Sequence, residues 1–420
     1  MTSFAVSSAV NLWQNPARFE TGPAGHDGMG QGLIQGTGDN IDLPGHGSAT
    51  LAQSGRDMAA RFIDATGFFI NYGSIVGPSI EIGSSQASAT FWIVNYGSIT
   101  GDPYAIWHSG GATDTLIVVN SGTLSGQSRI SYWIHPHSFY SDDSKNSVDI
   151  IQNRGVMIGE VVTGGGDDTV DNRYGSIDGI VELGDGNDRY VGYDHGTVTG
   201  FVSGGSGNDT FFGNPTVAEF FTGGFGVDTL DFRLHGAVTL ALDLSFAPGD
   251  AALGDQYIEM ENVFGSDTGD DVIRGDGFAN ALFGFGGEDS LDGAGGNDVL
   301  RGGVGIDTLT GGTGNDTFRF SGLDECGDQI TDFGNTVGDN DRFQITAAAF
   351  GGGLVAGVLA ASQFQTRTDN LAQDADDRFI FNITDRTLWF DADGNGAGAA
   401  IMVADLQAGA VVTAADILLI

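Results

Sequence analysis

Apolar residues recur along this chain at regular intervals, and glycine-rich turns separate them. From Ser266 to Arg319 a large apolar residue occurs every nine residues, and an Asp or Asn precedes it by two positions. The residues before that Asp or Asn are mainly glycine. A strand directs successive side chains to opposite faces. A single large apolar residue between two glycine-rich turns therefore predicts a very short strand that directs this one side chain into a core. The pattern therefore predicts an all-β chain of short strands and tight turns.

Six nonapeptides fill residues 266–319 without a gap. Asp or Asn occupies the sixth position of each: Asp271, Asn280, Asp289, Asp298, Asp307 and Asp316. The eighth position is always apolar: Ile273, Leu282, Leu291, Leu300, Leu309 and Phe318. Glycine loses the most backbone freedom on ordering, so it weakens regular structure, and some other interaction must stabilise these turns.

The same Asp-x-apolar order recurs upstream on a repeat of about twenty residues, roughly the length of one solenoid turn. Its aspartates are Asp168, Asp188, Asp209 and Asp228. A second motif, close to Asn-x-Gly-x-apolar-x-Gly, places glycines at Gly73, Gly97, Gly122, Gly155, Gly175 and Gly196. Such regular corners favour a parallel β-solenoid. The alternative is a β-sandwich with ordinary hairpin turns.

The charge of the chain limits its partners. Its 420 residues include 55 Asp and Glu against 16 Lys and Arg, a net charge of −39. So acidic a surface repels nucleic acid and anionic lipid, which excludes nucleic-acid binding. Dense carboxylates suit hard divalent cations, although acidity could instead serve solubility or salt tolerance. Cys326 is the single cysteine, so no disulfide within the chain can stabilise the turns.

The nonapeptides resemble the calcium-binding repeats of the RTX, or hemolysin-type, family. The resemblance implies that two nonapeptides form one coil of a parallel β-roll, with Ca²⁺ between each turn and the equivalent turn one coil later. Glycine carbonyls and Asp carboxylates would be the ligands. Asn280 is expected to give a weaker site, because it is neutral and Phe278 replaces a glycine. The ligands so implied are Asp168, Asp188, Asp209, Asp228, Asp271, Asp289, Asp298, Asp307 and Asp316.

The expected fold is all-β, a right-handed parallel β-solenoid with long coils followed by an RTX β-roll and a small C-terminal secretion domain. We expect some helix at 355–364. The ending, in which Asp416 precedes "ILLI", resembles C-terminal signals of type I secretion, and the N-terminus lacks the features of a Sec signal peptide. No apolar run is long enough to predict a transmembrane helix. The expected divisions are an N-terminal cap or irregular first coil at 1–66, the long-coil solenoid at 67–232 with calcium-turn motifs from about 163, bridging strands at 233–265, the β-roll at 266–319 and the secretion domain at 320–420.

These features predict a protein that a Gram-negative bacterium secretes through a type I apparatus, and that folds on extracellular calcium in the medium or at the cell surface. One role is a structural or adhesive surface or matrix protein that contacts polysaccharide or its own copies. The other is a carbohydrate-active β-helix enzyme, such as a polysaccharide lyase or epimerase. The first is favoured, because only Arg129 and Lys145 are basic between 63 and 150. An anionic polyuronate would require cations in its groove.

Two further motifs are candidate sites. The stretch "FDADGNG" matches the first half of an EF-hand loop, but Met402 stands where the bidentate Glu belongs. A turn is the first interpretation and an additional calcium site the second. His135 and His137 lie close to Asp142 and Asp143 in the sequence. No third partner follows at zinc spacing, so a loop is favoured over a metal or catalytic site.

Overall fold

In the part of the chain that the structure describes, nearly all regular secondary structure is β-strand, and the strands pair mostly in parallel. It divides into two compact units, one of residues 1–214 with 219–228 and the other of 215–218 with 229–420. The predicted cap at 1–66 lies largely outside the described residues, which include only short strands there. The structure is a computed structural model that describes residues 30–34, 41–44, 47–51, 55–56, 60–63, 67–76, 79–83, 90–109, 114–127, 137–141, 146–244 and 255–420.

The described strands of the first unit form three parallel sheets. The first sheet contains Gly30–Ile34, Gly47–Leu51, Gly67–Asn71, Thr90–Asn95, Thr115–Asn120, Val148–Asn153, Thr169–Asp171, Arg189–Val191 and Thr210–Phe212. The second contains Ile41–Pro44, Ala60–Ile63, Ile80–Gly83, Tyr104–Ser109, His137–Ser141, Glu160–Val162, Val181–Asp185, Val202–Ser206 and Phe220–Phe225. The third contains Gly55–Arg56, Ser74–Val76, Ser98–Gly101, Thr123–Gly126, Val156–Ile158, Ser176–Asp178 and Thr197–Val198. Stacked parallel coils of this kind confirm the predicted β-solenoid.

Side chains from successive coils superpose to form the core of this unit. Strand register aligns one column in the first sheet and another in the third, and every member is at most 2% exposed. Burying an apolar side chain of this size stabilises a fold by about 1.5–3 kcal/mol. The first column is Ile93, Val118, Ile151, Val170, Tyr190 and Phe211. The second is Ile75, Ile99, Leu124, Met157 and Ile177.

Buried asparagines at the ends of successive strands of the first sheet form a hydrogen-bonded ladder. The Nδ2 of each asparagine donates to Oδ1 of the next at 2.8 Å, and none is more than 1% exposed. At Asn120 the same amide also donates to Val156 O at 3.3 Å and accepts from Gly122 N at 3.2 Å. A buried amide satisfied in this way does not carry the cost of an unpaired polar group. The ladder consists of Asn71, Asn95, Asn120, Asn153 and Asn172.

The second unit contains the nonapeptides and the C-terminal region. One group of strands is Thr229–Asp231, Asn262–Phe264, Ala281–Gly286, Val299–Val304, Thr317–Phe320, Arg342–Ile345, Gly357–Val358 and Ile417–Leu419. A second group is Thr239–Ala241, Val272–Arg274, Ser290–Asp292, Thr308–Thr310, Asp328–Ile330, Ile401–Leu406, Thr387–Phe390, Phe379–Asn382 and Phe364–Arg367. Gln256–Ile258 and the pair Asn335–Thr336 with Asp339–Asn340 are the other strands. The helices are Ala347–Phe350 and the 3₁₀ turns Leu323–Glu325, Ala361–Gln363 and Ala414–Asp416.

The eighth-position residues of the nonapeptides lie in two core columns, as the nine-residue period predicted, and residues on either side of 266–319 extend both columns. Each member of these columns is at most 1% exposed. The first column is Val263, Leu282, Leu300, Phe318 and Phe343, and the second is Ile273, Leu291, Leu309 and Ile330.

The helix expected at 355–364 was wrong. That segment contains the two-residue strand Gly357–Val358 and one 3₁₀ turn, Ala361–Gln363. Gly357 adopts φ +131°, a conformation that an α-helix does not contain, so the segment cannot continue as one helix.

Candidate metal centre

The aspartates of the long coils form a hydrogen-bonded ladder in the first unit. The backbone amide of each one donates to Oδ1 of the aspartate one coil further on, at 2.7 Å in all four pairs. All four aspartates predicted as ligands in this unit therefore lie in a single column. The column runs through Asp149, Asp168, Asp188, Asp209 and Asp228.

The nonapeptides carry two ladders of the same kind. One runs through Asp271, Asp289, Asp307 and Asp328, with amide-to-Oδ1 distances of 2.8, 2.8 and 3.1 Å. The other runs through Asn280, Asp298, Asp316 and Asp341, with 2.8 Å at each step. The aspartates that the sequence pairs one coil apart are therefore joined directly.

The second carboxylate oxygen has no partner in most of these residues. Each of the side chains concerned is at most 2% exposed, and its Oδ2 is buried without a hydrogen-bond donor. An ionised carboxylate in such a position costs several kcal/mol unless it is neutralised. These oxygens are therefore positioned for a cation. They belong to Asp168, Asp188, Asp209, Asp289, Asp298, Asp307 and Asp316.

Glycine at the first position of a turn leaves room beside the Oδ2 atom that has no donor. A Cβ on Gly284 would lie 2.0 Å from Asp289 Oδ2 and 2.7 Å from the carbonyl oxygen of Gly302, one coil on. In the equivalent turn one coil on, Gly303 and Gly305 adopt φ +112° and +156°, which side-chain-bearing residues rarely do. A carboxylate oxygen and a backbone carbonyl thus border the same small space. Oxygen ligands of these two kinds suit calcium.

Carboxylates alone do not make up a metal site here. Among the residues that the structure describes, no three His, Cys, Asp or Glu side chains gather closely enough to hold a metal ion. Each turn instead offers one buried carboxylate together with backbone carbonyls. Calcium takes six to eight oxygens and accepts carbonyls and waters among them, so this donor set fits the ion.

Burial raises the pKa of these carboxylates from the ordinary value of 3.8. Neighbouring carboxylates add to the shift, whereas the hydrogen bond from the ladder amide opposes it. The carboxylates are therefore hard to ionise unless a cation is present. The pKa rises to about 6 in Asp209 and Asp271, to about 7 in Asp188, Asp289, Asp298 and Asp341, to about 8 in Asp328 and to about 9 in Asp168. Burial also raises the pKa of Asp307 and Asp316.

Two turns of the roll differ from the others. Asp271 is satisfied locally, because Ser266 donates its amide to Oδ2 at 2.7 Å and its hydroxyl to Oδ1 at 3.2 Å. Asn280 Oδ1 accepts from Asp276 N at 2.9 Å, and Phe278 is 76% exposed. The weaker calcium site expected at Asn280 stays a prediction.

In the long coils, two turns replace the first glycine by a larger residue. Thr163 and Leu183 occupy that position, and the Thr163 hydroxyl donates to Leu183 O at 2.7 Å. Asp168 and Asp188 nevertheless keep a buried oxygen without a donor.

Sequence reasoning missed three members of the ladders. Asp328 and Asp341 extend the two ladders of the roll beyond residue 319, and Asp149 begins the ladder of the first unit. Each is followed two residues later by a buried apolar side chain, so the Asp-x-apolar order was present. They were missed because no glycine-rich turn precedes them.

Asp149, the first member of its ladder, has a buried histidine as a side-chain partner. His108 Nδ1 lies 2.8 Å from Asp149 Oδ1, and both side chains are buried. Burial lowers the pKa of His108, but the charges of Asp149 and Asp114 and the hydrogen bond with Asp149 together raise the pKa above its ordinary value.

The histidine cluster suggested by the sequence is only partly described. His137 is 9% exposed, and its Nε2 lies 3.2 Å from Glu160 Oε2. His135, Asp142 and Asp143 lie outside the described residues.

A protein-family comparison matches the same turns. Four copies of the RTX calcium-binding nonapeptide repeat are found, at residues 201–215, 266–300 and 292–322. The chain carries RTX calcium-binding repeats. The match at 201–215 includes Asp209, so the family model recognises this long-coil turn as well as the turns of the roll. No curated protein matches the chain.

Proposed function

We propose that this RTX protein is secreted, folds when it meets extracellular calcium, and then serves as a structural or adhesive component of a cell surface or matrix. The observation that supports the calcium step is the set of buried carboxylate oxygens without donors, as in Asp188 and Asp289. Their desolvation and mutual repulsion oppose folding until a cation neutralises them. Extracellular calcium modules typically bind at about 0.1–1 mM, far above cytosolic free calcium, so the metal acts outside the cell.

Calcium titration tests this step. Adding calcium to metal-stripped protein should restore β-structure, recorded by circular dichroism, with a midpoint of about 0.1–1 mM. Magnesium is the control, because it demands near-octahedral geometry and gives up its waters reluctantly. Full β-structure in chelator, unchanged by calcium, would contradict the proposal.

Export before folding is supported by the C-terminal strand. Ile417–Leu419 pairs in parallel with Arg342–Ile345, and Ile417 and Leu419 are buried. A type I secretion apparatus that reads this signal-like segment would have to do so while the chain is unfolded. No helix in the described part of the chain is long and apolar enough to span a membrane.

The adhesive role is supported by aromatic side chains on the surface of the first unit. Tyr72 and Tyr96 are 57% and 53% exposed, and their rings stack with centroids 5.1 Å apart. Trp92 is 42% exposed. Exposed apolar groups that lie together mark interaction surfaces. An uncharged polysaccharide fits this surface, because a chain of net charge −39 does not repel it. Two more aromatic residues of the first unit's sequence, Tyr132 and Trp133, lie outside the described residues.

Sedimentation with an insoluble neutral polysaccharide tests the adhesive role. The calcium-loaded protein should co-sediment and leave the polysaccharide intact. Replacing Tyr72 and Tyr96 together by alanine should weaken binding by about tenfold or more, as expected when aromatic anchors of an interface are removed. Release of soluble sugars would instead favour the carbohydrate-active alternative. No sedimentation with any neutral polysaccharide would contradict this form of adhesion.

A further inference from the structure

Three arginines lie on successive coils of the second unit, although the whole chain has only 16 Lys and Arg among 420 residues. They belong to the strands Val299–Val304, Thr317–Phe320 and Arg342–Ile345, which pair in parallel in that order. We call Arg301, Arg319 and Arg342 the arginine cluster. Such a concentration of positive charge stands out in a chain of net charge −39.

The strand register brings Arg301 and Arg319 together on the outer face of the sheet. Leu300 and Phe318 are paired directly, and both side chains are 0% exposed in the core. Arg301 and Arg319 come one residue later, so their side chains project from the opposite face. Neighbouring strands lie about 4.8 Å apart, and like charges on neighbouring strands destabilise a sheet. An anion beside the two guanidinium groups would remove this repulsion.

Arg342 adds a third positive charge one coil further on. It is paired with Thr317, and its Nε donates to Thr317 Oγ1 at 3.1 Å. A guanidinium group has five donors, so one bond to a hydroxyl leaves most of them available. Arg342 is exposed, whereas Phe343 after it is buried. Its charge is therefore open to a ligand on the same outer face.

An acidic residue of the same unit engages Arg301. Glu325 accepts from Arg301 Nε at 3.3 Å and forms an ion pair with its Nη2. The same carboxylate accepts from Ser321 N at 2.6 Å, and Glu325 is only 5% exposed. This buried pair fixes Arg301 and leaves the positive charge of Arg319 and Arg342 uncompensated.

Arg319 provides the second, independent observation that points to a ligand. Its Nε is buried and has no acceptor in the part of the chain that the structure describes. No described carboxylate forms an ion pair with it. A buried donor of a charged group costs free energy unless an acceptor meets it, so this atom is suited to an oxyanion.

Aromatic side chains border the arginine cluster on one side. Phe264 pairs with Phe283, and Phe283 pairs with Arg301, so the three side chains share one outer column. The two rings stack with centroids 5.4 Å apart, and both are half-buried. Apolar groups of this kind exclude water and strengthen the attraction between a guanidinium group and an anion. A ligand with both apolar groups and carboxylates fits this surface.

The chemistry of the arginine cluster selects a carboxylate-bearing ligand. The planar guanidinium group matches a carboxylate with two parallel hydrogen bonds. The net charge of the chain does not prevent binding, because salt screens charges that lie more than about 8 Å away. The arginines and the ligand therefore interact mainly with each other.

The spacing of the arginines favours an acidic polysaccharide over nucleic acid. Duplex DNA carries one negative charge per about 1.7 Å, so several phosphates would face each coil of about 4.8 Å. A uronic-acid polymer carries at most one carboxylate per sugar ring. Its lower charge density suits one arginine per coil and brings fewer negative charges near the surrounding acidic surface.

We propose that the arginine cluster binds the carboxylates of an acidic polysaccharide, with Arg319 and Arg342 as the contacting residues. Arg301, held by Glu325, keeps the positive charge continuous along the coils. This site goes beyond the proposed function, because neither the RTX turns nor the exposed tyrosines of the first unit take part in it. Residues 63–150 lack the cations that a polyuronate requires, and the second unit supplies them.

Fluorescence anisotropy with a labelled short oligogalacturonate, which calcium does not gel, tests the site in the calcium-loaded full chain. Binding should be saturable and should weaken as salt is added. Arg319→Gln should weaken binding by about tenfold or more, because it removes charge-assisted hydrogen bonds. Arg342→Gln should weaken it in the same direction. Circular dichroism checks that both variants fold.

The matched control is Arg274→Gln, the same substitution on another strand of the unit. Arg274 is already paired with Asp243 and Asp292, so its replacement should leave binding unchanged. If Arg319→Gln fails to fold, Arg342→Gln decides, because that side chain is exposed.

Three results would overturn the proposal. The first is no binding of the oligogalacturonate, or binding that the arginine variants leave unchanged. The second is equal binding of a neutral maltooligosaccharide of the same length. The third is tighter, Arg319-dependent binding of an oligonucleotide with the same number of charges, which would assign the site to nucleic acid. The Tyr72 and Tyr96 double variant should keep oligogalacturonate binding, so failure of the neutral-polysaccharide surface is distinguishable from failure of this site.

Discussion

Without calcium, the folded chain should lose stability as the pH rises from about 4 to about 8. Burial raises the pKa of Asp188, Asp289 and Asp298 from 3.8 to about 7. Between these values the folded state binds more protons than the unfolded state, so the free energy of unfolding falls as the pH rises. One pKa unit corresponds to about 1.4 kcal/mol, so several such carboxylates remove several kcal/mol together.

Calcium should reverse this dependence, because the ion requires ionised carboxylates. The stabilisation by calcium should be large at about pH 8 and small at about pH 5. Urea unfolding of metal-stripped and calcium-loaded protein at both pH values measures all four stabilities. A metal-free protein that is more stable at the higher pH would show that the ladder carboxylates are not responsible.

Asp289→Asn should have opposite effects in the two metal states. The variant keeps an Oδ1 that can accept from Asp271 N, as Asp289 does at 2.8 Å. It also removes the negative charge of an Oδ2 that is buried without a donor. We therefore expect the metal-free protein to gain about 1–3 kcal/mol of stability. The calcium-loaded protein should lose at least as much, because one anionic ligand is missing.

Glu288→Gln is the matched control for this variant. Glu288 precedes Asp289 in the same turn but is exposed, so its replacement should change the stability of either state by less than about 0.5 kcal/mol. Urea unfolding with and without calcium, together with calcium stoichiometry, provides the comparison. Equal destabilisation of both states by Asp289→Asn would mean that Asp289 acts as a hydrogen-bond acceptor and not as a ligand.

The repeating parts of the fold could be predicted from sequence, because the spacing of the apolar residues follows from the need to bury each of them in one core. A nine-residue interval between Leu300 and Leu309 can place both side chains in one core only if the chain turns between them. The Asp-x-apolar order similarly predicts which carboxylates stack. These inferences need only local sequence, and the parallel coils confirm them.

Other features depend on residues that are distant in sequence or on local geometry. Ser266 satisfies Asp271 through its amide and hydroxyl, which the nonapeptide pattern does not reveal. The burial of Asn120 was not predicted, because an asparagine beside glycine is ordinarily a turn residue. The burial of Asn120 follows only once the neighbouring strands are known, because its partners Asn95 and Asn153 lie one coil away on either side.

The asparagine ladder has a consequence for how the first unit responds to its surroundings. Its amides carry no charge, so neither metal supply nor acidity alters their hydrogen bonds. The aspartate ladder depends on both. The two ladders run through the same coils between Asp149 and Asn172. The first unit therefore has one ladder whose stability does not depend on calcium or pH, from Asn71 to Asn172, and one whose stability does, from Asp149 to Asp228. The coils that contain both ladders join these two parts of the unit.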